Sequence, residues 1–137
     1  MKKTLQEIGL NSDNSVVISS GILQALGIRK SNDIDMIVTQ QAYDLLKESG
    51  KFVIKESYGR ETLSNDLFEI GASWNVLDKS YKFEDLVDDS IVIEGVRYIT
   101  LDFLYKVKKS WLKDDDVRQK DIDDVKLIEE YLDKNKI

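Results

Sequence analysis

Residues 16–38 read V-V-I-S-S-G-I-L-Q-A-L-G-I-R-K-S-N-D-I-D-M-I-V, and this stretch decides the fold. An apolar run leads into Ser-Ser-Gly at residues 19–21, and a second apolar run contains Asp33 and Asp35. The pattern predicts a strand, a turn that opens a short helix, and a second strand that carries paired carboxylates. Such an arrangement can hold nucleotide phosphates beside a divalent metal ion.

Asp33 and Asp35 are expected on one face of the second strand, because side chains alternate between the two faces. With Cα atoms about 6.6 Å apart, their charges repel by roughly 2.5 kcal/mol at an effective dielectric constant of 20 and by about 0.6 kcal/mol in water. A divalent cation would turn this repulsion into coordination. For D-x-D alone, the alternative is a solvated strand end with an Asx turn at residues 31–33. The small-residue turn upstream favours the metal site.

A third carboxylate is expected to complete the site, and we predict that it is Glu69. Apolar residues flank Glu69 as they flank Asp35, so a neighbouring antiparallel strand would bring the two side chains together. Asp66 is the alternative, although Asn65 beside it is typical of a turn. A solvated strand position for Glu69 is equally open.

The turn formed by Ser19, Ser20 and Gly21 is the predicted phosphate-binding element. Backbone amides at the start of a helix carry partial positive charge, serine hydroxyls add donors, and glycine permits close approach of a ligand. The alternative is an ordinary serine N-cap. Arg29 and Lys30 precede the aspartates and are the predicted cations for a triphosphate, with exposed loop charges as their alternative.

Composition limits the chemistry that the chain can perform. It contains neither cysteine nor histidine, which excludes disulfides, thiolate chemistry and imidazole bases and disfavours a zinc site. A metal must therefore be held by oxygen ligands, which favours Mg²⁺ or Mn²⁺. A net charge of −6 argues against general attraction to nucleic acids or acidic membranes. Without a signal peptide or an apolar stretch of about 20 residues, we expect a cytoplasmic protein with no membrane partner.

The patterns over the whole chain predict an α+β fold, with a mixed sheet flanked by helices and a C-terminal pair of helices. We expect one domain over residues 1–137, with an α/β core over 1–99 and helices over 100–137. Lys120 and Asp124 have the spacing of a solvated i,i+4 pair. The predicted elements are helices at 3–9, 22–26 and 40–48, strands at 16–19, 34–38, 52–54, 62–63, 67–70, 90–93 and 96–99 with a hairpin turn at Glu94-Gly95, and two last helices, capped by Thr100 and by Asp114 to Asp116.

Residues 16–38 resemble the signature of the DNA polymerase beta-like nucleotidyltransferase superfamily. In that signature an apolar strand is followed by Gly-Gly or Gly-Ser, a helix, and an apolar strand with two alternating aspartates. Residues 27–33, G-I-R-K-S-N-D, are similar to the small stand-alone members found in abortive-infection and toxin–antitoxin systems. The sequence differs from the signature at Ser19, where the family has glycine.

The C-terminal part is similar to the helical tail of these proteins. In that tail a lysine and an Arg-x-Lys-Asp element lie on consecutive helices. Lys108 matches the lysine, and residues 118–121, R-Q-K-D, match the second element. The resemblance therefore implies that Lys108 contributes to nucleotide binding.

The resemblance also implies an activity. Asp33, Asp35 and the third acid would hold two Mg²⁺ or Mn²⁺ ions, and an NTP would give its nucleoside monophosphate to a hydroxyl of a protein, an RNA or a small molecule. A toxin–antitoxin or phage-defence system would add an antitoxin or toxin as protein partner. Ser19 favours the alternative of a catalytically degenerate module that binds nucleotide or a partner protein. A glycosyltransferase D-x-D site is a weaker alternative, since too little chain precedes Asp33 for a nucleotide-binding half.

Overall fold

A computed structural model describes residues 2–31, 33–57, 59–113 and 116–135. The described helices are α1 (Lys2–Glu7), α2 (Gly21–Ala25), α3 (Gln40–Glu48), α4 (Phe83–Leu86), α5 (Leu101–Trp111) and α6 (Gln119–Lys134), with a 3₁₀ turn at Val87–Asp89. The described strands are β1 (Ser15–Ile18), β2 (Ile34–Val38), β3 (Val53–Ser57), β4 (Arg60–Ser64), β5 (Phe68–Gly71), β6 (Trp74–Val76), β7 (Lys79–Tyr81), β8 (Ser90–Ile93) and β9 (Val96–Ile99). Within these ranges, no helix is long and apolar enough to cross a bilayer.

A mixed sheet of seven strands forms the centre of the fold, in the order β3-β4-β5-β2-β1-β9-β8. The middle strand β2 pairs antiparallel with β1 and parallel with β5. Strand β9 pairs parallel with β1, and the outer pairs are antiparallel. The predicted α+β fold, with a mixed sheet, flanking helices and a C-terminal helical pair, is confirmed.

Strand β1 is buried along its whole length, which is typical of a strand covered on both faces. Helix α2 follows β1 after the turn and packs back against it. A Cβ atom at Gly21 would collide with Val17 Cγ1, so glycine is required where α2 begins. This close packing fixes the turn at the end of β1.

A second, two-stranded sheet formed by β6 and β7 was not predicted from the sequence. Trp74 and Tyr81 are partners across it, and both rings pack against Phe103 of α5, with centroid distances of 6.1 and 5.4 Å. The predicted hairpin at Glu94-Gly95 is confirmed, and both residues have positive φ angles, as a type I′ turn requires.

Helix α6 differs from its prediction. It begins at Gln119 with Arg118 at the N-cap, so the predicted cap at Asp116 is wrong, and Asp114 and Asp115 lie outside the described residues. Its buried face contains two aspartates, and both pair with the buried Lys108 of α5. The buried residues are Asp121, Asp124, Val125 and Ile128, whereas the apolar side chain of Leu132 is exposed.

Candidate active site

Asp35 lies at the junction of three strands. It is the register partner of Glu69 on β5 and of Ile18 on β1. Partners on adjacent strands point to the same face about 4.8 Å apart, so the carboxylates of Asp35 and Glu69 lie side by side. Exposed Asp33, two residues upstream, brings a third charge to the same place.

Glu69 was predicted to come from an antiparallel strand, and this is wrong because β5 runs parallel to β2. The chain passes through α3, β3 and β4 between the two strands, which is the long crossover that a parallel pair requires. Asp66 is exposed in the preceding turn, where Asn65 Oδ1 accepts hydrogen bonds from the backbone N–H groups of Leu67 and Phe68 at 2.9 and 2.7 Å. The register thus places Glu69, and not Asp66, beside Asp35.

The surroundings of Asp35 disfavour its ionised form. Burial, followed by the charges of Glu69 and Asp33, raises the pKa of Asp35 to about 6, while Arg60 and Lys120 act in the opposite direction. Oxygen donors that repel each other fit a hard divalent cation such as Mg²⁺ or Mn²⁺. In the described part of the chain no three acidic side chains already converge as ligands of one ion. Ligation of one ion by all three carboxylates would therefore require their side chains to rearrange.

The turn at residues 19–21 lies at the same end of the sheet as the aspartates. Strand β1 ends at Ile18, directly opposite Asp35, and the turn follows at once. Ser19 adopts a left-handed conformation with φ of 59°, which favours glycine.

Ser20 is buried at the N-cap of α2 but forms no capping hydrogen bond, so the alternative of an ordinary serine cap is wrong. Its hydroxyl lies 3.1 Å from the hydroxyl of Ser31, which donates to the carbonyl oxygen of Asp33 at 3.1 Å. Gln24 Oε1 accepts from the backbone N–H of Ser31 at 2.8 Å. These bonds connect the turn of residues 19–21 and helix α2 to the segment that carries the aspartates. Asn32, in the middle of the alternative Asx turn, lies outside the described residues.

Two of the predicted nucleotide-binding cations are engaged in a buried ion cluster. Arg29 donates to Asp124 from Nε at 2.6 Å and from Nη2 at 2.8 Å. Lys108 Nζ, on a residue that is 1% exposed, lies 2.9 Å from both Asp121 and Asp124. Burial acts to raise the pKa of Asp124, but the hydrogen bonds from Arg29 and Lys108 outweigh it and lower that pKa. The cluster ties α5 and α6 to the loop before Asp33.

The predicted solvated pair of Lys120 and Asp124 is wrong, because Asp124 is buried and binds other cations. Lys30, the remaining predicted phosphate cation, has an exposed side chain. Arg29 Nη1 donates to the carbonyl oxygen of Lys30 at 2.8 Å, which holds the backbone beside it.

Two solved structures of ANT(2'')-Ia share this architecture. Its crystal structure in complex with adenylyl-2''-tobramycin is 16% identical, with a TM-score of 0.58, and the match covers 87% of this chain and 79% of that chain. Its solution structure, described as that of an antibiotic-resistance factor with substrate-regulated conformation dynamics, is 17% identical, with a TM-score of 0.58 and coverage of 96% and 86%. This chain has a nucleotidyltransferase fold. No protein-family model matches it, and no curated protein sequence matches it significantly.

Two cations near the carboxylates, Arg60 and Lys120, were not predicted from the sequence to belong to the site. Arg60 and Lys120 both act to lower the pKa of Asp35. Lys120 is exposed in the first turn of α6, inside the R-Q-K-D element that the resemblance had marked. Arg60, Thr62 and Ser64 are two residues apart along β4 and so form one polar face of the strand. This polar face is the sequence signal from which Arg60 could have been predicted as a site residue.

An open groove of about 440 Å³ lies apart from the carboxylates, between α1 and α3. It is lined mainly by residues of these two helices and their flanking loops, such as Leu10, Ala42 and Leu46. None of the predicted site residues lines it. The groove therefore does not contribute to the candidate active site.

Proposed function

We propose that this chain is a metal-dependent nucleotidyltransferase that moves a nucleoside monophosphate from an NTP to an acceptor hydroxyl. One observation carries the proposal: Asp35 lies between Glu69 and the end of β1, where the turn of residues 19–21 begins. Carboxylates next to an amide-rich turn can bind the cations and the phosphates of an NTP together. The nucleotidyltransferase fold supports this assignment.

Each element of the site has a proposed role. Asp33, Asp35 and Glu69 hold the divalent cations, and the backbone amides of residues 19–21 bind phosphate oxygens. Bound cations would lower the pKa of the acceptor hydroxyl and offset the charge on the triphosphate. The acceptor hydroxyl gives up its proton to solvent, its oxygen attacks the α-phosphorus, the bond from that phosphorus to the bridging oxygen breaks, and pyrophosphate leaves.

The surrounding cations divide into two groups in this proposal. Lys30 and Lys120 have exposed side chains, so they can reach the triphosphate and neutralise its charge. Arg29 and Lys108 were expected to bind nucleotide, but their charges are already paired with buried aspartates. We therefore assign Arg29 and Lys108 a supporting role in holding the loop before Asp33.

We propose a small molecule as the preferred class of acceptor, with proteins and RNA as the other two classes. The crystal structure of ANT(2'')-Ia holds an adenylylated small molecule, adenylyl-2''-tobramycin. The net charge of −6 disfavours RNA. A toxin–antitoxin or phage-defence setting with a protein partner belongs to the same proposal and depends on the resemblance of residues 27–33.

The test is transfer of label from each α-³²P-NTP, with Mg²⁺ or Mn²⁺, to separate pools of small molecules, bacterial RNA and soluble proteins. The wild type should label one pool and release pyrophosphate, and Asp35→Asn should lose this activity by on the order of a hundredfold or more. Asp66→Asn is the matched control, because it makes the same change in an exposed turn. Equal labelling by wild type and Asp35→Asn, or labelling of no pool, would contradict the proposal.

The second candidate function is a non-catalytic module that binds nucleotide or a partner protein. It is favoured by Ser19, which occupies a left-handed position suited to glycine, and by Ser20, whose hydroxyl is already bonded to Ser31. Calorimetry with a nonhydrolysable NTP distinguishes the two functions. Clear binding without turnover in any pool supports the module, whereas metal-dependent turnover eliminates it.

A further inference from the structure

Arg60 lies on the sheet face that carries the carboxylates. In the antiparallel pairing of β4 with β5, Ser64 is the partner of Glu69. Side chains alternate along a strand, so residues 60, 62 and 64 share the face of Glu69 and Asp35. Thr62 confirms this orientation, since its hydroxyl donates to Glu69 Oε1 at 3.3 Å.

Gly71 makes room for the Arg60 guanidinium. Gly71 follows Glu69 by two residues on β5, and a Cβ atom there would collide with Arg60 Nη1. The guanidinium therefore lies against the backbone of β5. Burial lowers the pKa of Arg60, while the charges of Glu69 and Asp35 oppose that shift, so both carboxylates are close enough to act on it.

The guanidinium is near the carboxylates without being bonded to them. Arg60 Nη1 is buried and has no hydrogen-bond partner among the described residues. The ion pairs found in residues 2–31, 33–57, 59–113 and 116–135 do not include Arg60. A buried donor without an acceptor lowers stability. The attraction between the Arg60 guanidinium and the charges of Glu69 and Asp35 opposes this cost. Asp35 and Glu69 thus experience the positive charge of Arg60 without giving up a carboxylate oxygen to an ion pair with it.

We propose that Arg60 is the resident counter-ion of Asp35 and Glu69, that it competes electrostatically with the divalent cation, and that it thereby couples metal binding to nucleotide binding. This inference rests on the proposed function, because it takes the two carboxylates as metal ligands. A guanidinium and a divalent cation repel each other beside one carboxylate pair, so the metal binds weakly alone. A triphosphate adds negative charge that offsets this repulsion, and each ligand then tightens the binding of the other.

The experiment measures Mn²⁺ affinity by electron paramagnetic resonance of free Mn²⁺, with and without a nonhydrolysable NTP. Without nucleotide, Arg60→Gln should bind Mn²⁺ tighter by on the order of tenfold, and Arg60→Lys should stay near the wild type. Gly71→Ala moves the Arg60 guanidinium without changing the net charge, and it should also change the affinity for Mn²⁺. Lys79→Gln is the matched control, because it removes one positive charge from an exposed side chain on β7 and should leave the affinity unchanged.

The nucleotide-dependent gain in Mn²⁺ affinity should be larger in the wild type than in Arg60→Gln. Thermal melting by circular dichroism checks that each variant is folded. If Asp35→Asn leaves Mn²⁺ binding unchanged, the metal site fails, and the proposed function and this inference fall together. If Asp35→Asn abolishes binding but Arg60→Gln binds as the folded wild type does, or more weakly, only the role of Arg60 is overturned.

Discussion

In the absence of divalent cations, Asp35→Asn should stabilise the folded protein at neutral pH. Burial, followed by the charges of Glu69 and Asp33, raises the pKa of Asp35 from 3.8 to about 6. A carboxyl group whose pKa rises on folding binds its proton more tightly in the folded state. Its ionised form therefore destabilises the fold above pH 6, and this penalty disappears as the pH falls below about 4.

The size of the effect follows from the two pKa values. The difference between 3.8 and about 6 corresponds to about 3 kcal/mol in the free energy of unfolding. Asparagine has nearly the same shape and no charge, so most of this penalty should be removed at pH 7.5. The stabilisation should shrink towards zero at pH 4, where wild-type Asp35 is also neutral in the folded state.

Urea unfolding in EDTA, followed by circular dichroism at pH 4, 6 and 7.5, measures this difference. Asp66→Asn is the control for loss of an exposed charge and should change stability little at any pH. Added Mn²⁺ should stabilise the wild type more than Asp35→Asn, because only the wild type retains the full ligand set. A variant that is less stable than the wild type at pH 7.5, or a difference independent of pH, refutes the reasoning.

Three further substitutions test other contacts. Lys108→Met should lower the free energy of unfolding by about 3 kcal/mol, because it removes the buried cation that Asp121 and Asp124 share. A double-mutant cycle with Asp124→Asn measures the coupling, and additive effects would contradict the ion cluster. Ser19→Gly should stabilise the protein by about 0.5–1 kcal/mol in thermal unfolding, because glycine tolerates the left-handed backbone. A lower melting temperature than that of the wild type would contradict strain at Ser19. Gly21→Ala should lower the free energy of unfolding by about 2 kcal/mol and weaken nucleotide binding, because the new Cβ atom collides with Val17. An unchanged melting temperature and an unchanged affinity in calorimetry would show that α2 can shift to accommodate the Cβ atom.

The segment from β1 to β2 could be predicted because its signals are local. Apolar runs give the strands, small residues give the turn, and alternation puts Asp33 and Asp35 on one face. The direction of the strand that carries Glu69 could not be predicted. The alternation of a strand is the same in parallel and antiparallel pairs, and only the position of β5 in the sheet decides between them.

Burial of charge was the second limit of sequence-based prediction. Lys120 and Asp124 have the spacing of a solvated helix surface, and no local pattern in the sequence distinguishes a buried charged residue such as Asp124 from an exposed one. The environment of Asp124 is set by Lys108 on α5 and by Arg29, which comes from a different part of the chain. Arg60 was missed for a related reason, since its relation to Asp35 depends on the pairing of β4, β5 and β2.

The pairing of Arg29 with Asp124 joins positions that are 95 residues apart. Closing so long a stretch of chain is entropically expensive, so contacts of this kind form after the more local ones. The loop ahead of Asp33 is therefore anchored through Arg29 only once α6 has docked. A molecule that separated α6 from this loop would remove that anchor from the segment that leads into the proposed metal-binding carboxylates.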